Sequence, residues 1–600
     1  MPQETKTCQN CKQNFVIEPD DFTFYEKIQV PPPTWCPECR LKRRFVFRNE
    51  RYLYKRTCGL CSNNIISFVS PEKPYVVYCP KCWWSDKWNP LSFGQTYDFS
   101  TPFFEQFQNL LKRVPLMGLW SDYPTLTNSE YTNLSGHLKN CYMIFHADFS
   151  EDCLYGSGLK LSKDCVDTTM IGKSEICYEC LDVMKSNRVF YSVDCEGSHD
   201  IYFSKNLVGC QYCLGCVNLR NKSYHIFNQP YSKEDYKKKL EEFNLSSYSS
   251  VQEIKEESEK LWLKFPNKFY HGTHNERVSG DYIYHSKNTQ KSYEMLEAED
   301  CKYCQFDSTA TTRDSYDYTE WGQIAELMYE SSNCGNGASR IKFSVMSMNN
   351  IREIEYSIFA ISSSNLFGTV SVRNNQYCIL NKQYTKEEYE TLIQKIKKNM
   401  DEMPYVDKKN RVYKYGEFFP PTLSPFKYNE STAQEYFPLT KEDSQNEGCG
   451  WKDTEDKKYE PTITWKDLPD NIQNTKRDIT KELILCRSYE ENSEKASMHN
   501  CTKVFKITER ELEIYYRLGV PAPRLCPNSR HFERTKHRNP IQFWAQKCHC
   551  GGIASKNKLY QNTANHFHET ESCPNEFETS FAPDRPEIVY CEQCYNSEIA

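Results

Sequence analysis

The most regular pattern in the chain is a twelve-residue repeat that starts at Cys141. Written in rows of twelve, the sequence places apolar residues in fixed columns. The first column reads Cys141, Cys153, Cys165, Cys177, Val189, Ile201, Cys213 and His225, and the second reads Tyr142, Leu154, Val166, Tyr178, Phe190, Tyr202, Leu214 and Ile226. The seventh column, from Ala147 to Leu219, is also apolar. A short fixed period of this kind is typical of a β-solenoid, in which each row is one coil and equivalent residues stack about 4.8 Å apart.

The first two columns are neighbours along a strand, so their side chains point to opposite faces and only one column can lie inside. We expect the small cysteines inside, as inert core thiols. The second column then lies on an outer face that needs a covering protein partner. The reverse assignment of the two columns stays open.

A second strand-rich region repeats the outline of the first. The first ends in Arg220-Asn221, followed by a helix start at Ser232 and Asp235, and the same outline returns 153 residues later at Arg373-Asn374 and Thr385. The intervening rows are less regular and begin at Ser315, Leu327, Ile354 and Leu366. The pattern predicts two short solenoids, each capped by an amphipathic helix.

Pairs of cysteines with two residues between them mark the N-terminal region. Thiolates at this spacing can reach one ion, and two such pairs complete a tetrahedral zinc site. The sequence therefore predicts two zinc sites, formed by Cys8, Cys11, Cys36, Cys39, Cys58, Cys61, Cys79 and Cys82.

A displacement of 490 residues aligns this region with the C-terminal end, pairing Cys36-Pro37 with Cys526-Pro527. Met498 and Ser529 replace two cysteines of one site. The other site is predicted to persist as Cys548, Cys550, Cys591 and Cys594. Weaker candidate ligands are Cys486, Cys501, Cys526, His499 and His531 for the degraded site, and His566, His568 and Cys573 for a separate three-ligand site. Because closed four-cysteine sites are structural, we expect about three structural zinc ions and no catalytic one.

Basic residues interleaved with aromatic residues follow Cys39 and recur in the C-terminal copy. Guanidinium groups suit phosphates and rings suit stacked bases, so this run favours a surface for RNA or DNA. In the alternative, which stays open, the basic run packs against the acidic middle of the same chain. The residues are Arg40, Lys42, Arg43, Arg44, Arg48, Arg51, Arg530, Arg534 and Arg538.

Composition narrows the class of protein. The net charge is −6, and no apolar run approaches the roughly 20 residues that cross a bilayer. The 30 cysteines have the paired spacing of metal sites, and no apolar signal segment follows Met1. We expect a soluble, cytoplasmic protein in a reducing compartment, with no membrane partner.

Sequence motifs of the common enzyme classes are missing: the chain contains no GxxxxGK[ST], HExxH or GxSxG. Asp182 and Asp194, one row apart, are the best carboxylate pair, and such a pair could act on a glycan or similar polymer. The structural alternative is an Asp/Asn ladder at a solenoid corner, continued by Asn206 and Asn218.

Together these patterns predict a multidomain, mainly β protein, with zinc-ribbon modules at both ends flanking two β-solenoid-like domains. The expected segments are 1–92 (double zinc ribbon), 93–133 (connector with a short helix), 134–230 (first solenoid), 231–267 (helical cap), 268–384 (second solenoid), 385–402 (helical cap), 403–482 (aromatic, Pro-containing and acidic linker) and 483–600 (C-terminal zinc-ribbon module).

The run Tyr78-Cys79-x-x-Cys82-Trp-Trp, the Cys36-Pro-Glu-Cys39-Arg40 motif, the two caps and Val589-Tyr590-Cys591 resemble a family of full-length zinc-ribbon proteins found in small-genome, uncultivated bacteria. Some members carry a CoA-transferase-like label, which no motif of this chain supports. The resemblance implies no activity. We therefore expect a non-catalytic, zinc-stabilised binding or scaffold protein that contacts RNA or DNA, or alternatively an assembly scaffold that contacts only protein.

Overall fold

Left-handed backbone conformations recur at every third residue of the twelve-residue rows. In the computed structural model, which describes residues 2–307, 309–453 and 459–599, positive φ values occur at Asp164, Asp167, Met170 and Lys173, and this spacing continues along the rows. Two extended residues followed by one left-handed residue turn the chain sharply. A row of twelve residues therefore has four short sides.

Successive rows pair in parallel with a register offset of one row, as in Val166 with Tyr178 and Ile201 with Cys213. Only the last strand, Gln229–Pro230, pairs antiparallel. The strands of this first sheet are Thr132–Lys139, Tyr142–Glu151, Leu154–Lys160, Val166–Gly172, Glu175–Met184, Asn187–Phe190, Val193–Glu196, His199–Tyr202, Gln211–Leu214, Ser223–Ile226 and Gln229–Pro230.

Of the two residues between successive left-handed corners, the first points inwards, so every third side chain enters a narrow core. In one row these are Cys153, Gly156, Leu159 and Ser162, all of them buried. The core is filled by small residues whose polar groups bond to the backbone, as Ser162 Oγ donates to the carbonyl oxygen of Lys160 at 3.0 Å. The cysteines of the first column lie inside, and the fourth and tenth columns, which the sequence did not reveal, lie inside with them.

The second column lies on the opposite face, within another apolar cluster. Its residues are buried by segments from the C-terminal part of the chain, including Ile472, Ile484, Leu512 and Tyr515. We expected this column to need a separate protein partner, but the chain itself covers it.

A second parallel sheet follows the same rule with interruptions. Several of its rows contain thirteen residues, as the pairing of Tyr316 with Tyr329 and of Ile341 with Ile354 shows. The extra residue explains why the period is hard to find in the sequence. The strands are Gly272–Thr273, Gly280–Tyr284, Ser292–Leu296, Ala298–Lys302, Gln305–Asp307, Thr312–Gly322, Ala325–Gly335, Ala338–Lys342, Val345–Met348, Arg352–Glu355, Ser364–Phe367, Gln376–Ile379 and Lys382–Gln383.

The α-helices begin at polar or proline signals that the sequence contains. Ser232 and Thr385 cap the helices after the two sheets, each accepting a hydrogen bond from the backbone N–H three residues on. In chain order the helices are α1 (Pro19–Ile28), α2 (Pro37–Phe45), α3 (Pro80–Trp83), α4 (Phe103–Arg113), α5 (Lys233–Glu242), α6 (Tyr248–Trp262), α7 (Lys386–Glu402), α8 (Thr432–Tyr436), α9 (Lys441–Asn446), α10 (Arg487–Glu491), α11 (Ser493–Met498), α12 (Glu509–Leu518), α13 (Pro527–Thr535) and α14 (Glu592–Ile599).

The remaining strands form small separate sheets. They are Glu4–Thr7 with Asn14–Ile17, Tyr54–Thr57 with Asn64–Ser67, Val77–Tyr78 with Leu116–Met117, Pro266–Lys268 with Ile588–Tyr590, Tyr405–Val406 with Val412–Tyr413, Trp544–Lys547 with Glu576–Thr579, and the trio Ile463–Thr464, Ile484–Leu485 and Val504–Phe505.

The chain divides into two units. Unit 1 comprises Met1–Trp120 and Tyr270–Lys452, so it joins the N-terminal cysteine-rich region to the second sheet. Unit 2 comprises Ser121–Phe269 and Asp453–Ala600, and joins the C-terminal cysteine-rich region to the first sheet. The segment expected to be a linker contributes to cores: within unit 1, Phe419 stacks on Phe107 at 4.9 Å.

Strands contain 33% of the residues, in several sheets, and helices contain 25%. The prediction of a mainly β, multidomain chain is confirmed. Within the described ranges, every helix is too short or too polar to cross a membrane.

Candidate metal centres

Four N-terminal thiols converge on one point. The sulfur atoms of Cys8, Cys11, Cys36 and Cys39 all lie within 4.8 Å of one another. Cys8 and Cys11 lie in the turn between two short strands, while Cys36 precedes α2 and Cys39 is in its first turn. The backbone N–H of Cys36 donates to Cys8 Sγ at 3.3 Å, which fixes the two pairs against each other. The group could hold one metal ion.

A second group repeats this geometry with Cys58, Cys61, Cys79 and Cys82. Cys58 and Cys61 again lie in a hairpin turn, and Cys79 caps α3. The backbone N–H of Cys79 donates to Cys58 Sγ at 3.3 Å, the counterpart of the bond from Cys36 to Cys8. The structure therefore brings all eight N-terminal candidates into two four-thiol groups.

Hydrogen bonds within these groups lower the pKa of two thiols, Cys8 and Cys58. Burial raises the pKa of Cys58, but backbone N–H groups of Cys61 and Cys79 lower it to about 7. Hydrogen bonds from Cys36 and Cys39 likewise lower the pKa of Cys8, despite its burial. Since a metal requires thiolates, its binding is expected to weaken in acid.

The C-terminal module forms a four-thiol group whose membership differs from the prediction. It contains Cys548, Cys573, Cys591 and Cys594, and Cys550 is not part of it. The single residue between Cys548 and Cys550 is too short a spacer for the two-residue turn of the N-terminal pairs. The insertion between the copies supplies Cys573 instead, whose N–H donates to the Cys550 carbonyl at 3.0 Å.

Cys550 belongs to an adjoining group with His566, His568 and Cys594. We expected His566 and His568 to combine with Cys573, but the structure groups them with the two other cysteines. Cys594 is thus shared by both C-terminal groups.

The degraded site retains three thiols: Cys486, Cys501 and Cys526 lie within 4.8 Å of one another. The N–H of Cys526 donates to Cys486 Sγ at 3.2 Å, so Cys486 takes the place of Cys8. Ser529 Oγ lies 3.3 Å from Cys526 Sγ, where the fourth cysteine would be. His499 and His531 do not join the group among the described residues; both rings lie against Phe532.

The arginines of α2 are buried in ion pairs with carboxylates of the second sheet. Arg40 and Arg44 each pair with one oxygen of Asp317, at 2.8 and 3.0 Å. Arg43 pairs with Glu330 at 2.7 Å. Arg43 also pairs with Glu417 at 3.0 Å, and Arg48, just beyond α2, pairs with Glu320 and Glu50.

The C-terminal copy makes the same contact on the first sheet. Arg530 Nε and Arg534 Nη1 lie 2.9 and 3.2 Å from one oxygen of Asp167. Arg530 also lies over the ring of Tyr155, as Arg40 lies over Tyr303 in the first copy. Both copies therefore place two buried guanidinium groups on one aspartate.

These positions do not present the arginines as a surface for phosphates. The side chains of Arg40 and Arg44 are at most 1% exposed, and Arg530 and Arg534 at most 5%. Burial lowers the pKa of Arg40, but the charge of Asp317 outweighs it and holds that pKa well above the usual range. Buried and charged arginines on acidic partners match the alternative in which the basic run packs against the middle of the chain. Arg43, Arg48 and Arg538 are buried too, and only Lys42 and Arg51 are partly exposed.

Side chains of the Asp/Asn ladder also contact other parts of the chain. Asp182 Oδ2 faces Arg538 Nε at 3.8 Å, and its side chain is 14% exposed. One row beyond Asp194, Asn206 donates to the hydroxyl of Tyr595 at 2.6 Å. This arrangement favours the structural interpretation of Asp182 and Asp194 over glycan chemistry.

Sequence reasoning missed the acidic partners of the arginines and the role of Cys573. Asp167 and Asp317 both occupy outward, left-handed corners of their rows, a signal that becomes visible only once the period of three is known. Nothing in the linear sequence says which corner meets which arginine.

Comparison of the chain with protein-family models, with curated proteins and with solved structures gave no match. Its function is therefore inferred from its own geometry.

Proposed function

We propose that this protein is a non-catalytic assembly scaffold, in which structural zinc ions fold zinc-ribbon modules and each module is locked onto a rigid β-solenoid. The observation that carries the proposal is the doubled contact of two buried arginines with one aspartate. The basic groups that could bind an external partner are used to hold the chain together.

Zinc is the metal that the donor sets favour. Four thiolates arranged around one point suit the tetrahedral, sulfur-rich coordination of zinc. Such a set leaves no open coordination position for a substrate, so its role is structural. The three four-cysteine groups correspond to about three zinc ions.

A four-sided β-solenoid accounts for the rows, with their regular corners and inward small residues. Stacked coils contact only their neighbours and form a rigid support. Free thiols lining this core suit a reducing, cytoplasmic compartment.

A protein partner is favoured over RNA or DNA, because salt-dependent phosphate binding needs accessible cations. The buried arginines do not supply them. Lys42 and Arg51 are the members of the basic run that stay partly exposed.

The test is a titration of the full-length, zinc-loaded protein with fluorescent RNA and single-stranded DNA at low salt, alongside metal analysis. We expect about three or more zinc ions and no binding that weakens with salt. Binding that salt abolishes, and that is lost in a folded Lys42→Ala/Arg51→Ala variant, would support nucleic-acid recognition instead. A zinc content of one or none would contradict the scaffold proposal itself.

A further inference from the structure

Seven buried or half-buried side chains of the C-terminal module form two ligand groups that meet at Cys594. Building on the proposed zinc scaffold, we propose that these groups hold a pair of zinc ions bridged by the Cys594 thiolate. The first ion takes Cys548, Cys573, Cys591 and Cys594; the second takes Cys550, His566, His568 and Cys594.

The orientation of His566 supports a second ion. Its Nε2 atom lies 2.9 Å from Glu598 Oε1, and both side chains are fully buried. Its Nδ1 atom is buried and has no hydrogen-bond partner. A histidine that donates one ring N–H to a carboxylate presents the other nitrogen as a lone pair, which is the usual arrangement of a zinc ligand.

His568 is oriented in the same sense. Its Nδ1 atom lies 2.6 Å from the carbonyl oxygen of Glu571, so this nitrogen carries the proton. Its Nε2 atom is then unprotonated, and it lies 3.2 Å from Cys594 Sγ. Two electron-pair donors this close face each other favourably when a cation lies between them.

Cys550 completes the second group as a thiolate. Its sulfur accepts a hydrogen bond from Asn562 Nδ2 at 3.2 Å. Asn562 is held in turn by the carbonyl of Gly552 at 2.6 Å and by the hydroxyl of Tyr590 at 2.8 Å. A fixed amide donor favours the charged form of the sulfur.

A single ion would satisfy only part of this arrangement. With the four-cysteine group filled, Cys550 and two oriented imidazoles would remain buried beside the thiolate of Cys594 with no cation. Sulfur has lone pairs for two metals, so one shared thiolate gives each ion four ligands. Five thiolates opposite two divalent ions then leave only a small net charge in the buried site.

The second ion would attach the insertion between Cys550 and Cys573 to the helix α14. Cys594 and Glu598 both lie on α14, while His566 and His568 lie on the insertion. The ion pair would thus order a segment that has no equivalent in the N-terminal module.

Native mass spectrometry of the full-length protein tests this proposal by metal count. We expect close to four zinc ions in the wild type, and one fewer in His568→Ala and in the double variant His566→Ala/His568→Ala. Cys594→Ser is expected to lose two. His549→Ala, a histidine of the same module outside both groups, serves as the control and keeps the wild-type count.

Stepwise loading with cobalt gives a second readout, because two Co²⁺ ions that share a thiolate couple magnetically and lose EPR intensity. We expect this loss in the wild type and not in His568→Ala. A wild-type count of three that the histidine variants leave unchanged would overturn the paired site while sparing the scaffold proposal. A count of one or none would refute both.

Discussion

One column of outward side chains distinguishes the two sheets. In unit 2 the column contains Val166, Tyr178, Phe190, Tyr202 and Leu214, and all of it enters an apolar cluster. The column of unit 1, in register order, is Lys302, Tyr316, Tyr329, Lys342, Glu355, Phe367 and Ile379. Equivalent backbones are therefore covered through apolar contact in one unit and partly through buried charges in the other.

The charges of the unit 1 column are paired. Lys302 forms ion pairs with Glu18 and Asp21 at 2.5 and 2.6 Å. Glu355 forms ion pairs with Lys342 and Lys397 at 3.0 and 2.8 Å. Both units nevertheless keep the contact of two arginines with one aspartate. This contact is common to both modules, whereas the chemistry of the column and the completeness of the thiol groups differ.

Zinc should matter most where the site is complete. We expect Cys36→Ser to remove one zinc and to unfold the N-terminal module of unit 1, because binding at such sites is worth about 10 kcal/mol. Cys526→Ser, at the equivalent position of the three-thiol group, should leave the zinc count unchanged and cost about 1 kcal/mol. Metal analysis and thermal unfolding measure both. Loss of zinc in Cys526→Ser would show that the degraded site still binds metal.

Removal of the shared carboxylate should have the next largest effect, and the loss of stability should be similar in both units. Asp317→Asn and Asp167→Asn each leave two buried guanidinium groups poorly compensated, with an expected cost of about 3–5 kcal/mol. The control is Asp314→Asn, whose pair with Lys27 is more than 40% exposed on both sides and worth at most about 1 kcal/mol. Denaturant unfolding gives these values, and equal costs for Asp317→Asn and Asp314→Asn would contradict the prediction.

Acid should destabilise unit 1 through Glu355. Burial alone would raise the pKa of Glu355, but the charges of Lys342 and Lys397 lower it from its ordinary value of 4.5 to about 2. Because the pKa is lower in the folded state, the stabilisation is complete above pH 4.5 and is lost as the pH falls towards 2, by about 3 kcal/mol.

Glu355→Gln should flatten this acid limb in the full-length protein, when the unfolding of unit 1 is followed by amide hydrogen exchange in its peptides. The equivalent residue of unit 2 is Tyr202, which does not ionise in acid, so Tyr202→Phe should leave the limb unchanged. An identical pH dependence in wild type and Glu355→Gln would refute the assignment.

The smallest expected effect concerns the ends of α1 and α12. Both helices end in a left-handed residue, Gln29 with φ 57° in unit 1 and Gly519 with φ 66° in unit 2. Gln29→Gly should stabilise unit 1 by about 0.5–1 kcal/mol, and Gly519→Ala should destabilise unit 2 by a similar amount. Changes in the free energy of unfolding that have the same sign in the two variants would argue against this explanation.

Much of the local structure follows from the sequence, because short-range patterns determine it. Each of these patterns involves residues that are close in sequence: the cysteine spacing, the cap residues Ser232 and Thr385, and the period of the rows. The partners of Arg40 and Arg530 lie 277 and 363 residues away, and no local pattern encodes those distances. The exchange of Cys550 for Cys573 depends on how a long insertion folds back, which the spacing does not determine.

The most direct test of the account is amide hydrogen exchange of α2 in Asp317→Asn, measured beside wild type and Asp314→Asn with zinc bound. If Arg40 and Arg44 hold α2 on the second sheet, its amides should lose protection in Asp317→Asn and keep it in Asp314→Asn. Wild-type protection of α2 in Asp317→Asn would contradict the claim that these buried ion pairs fix the module.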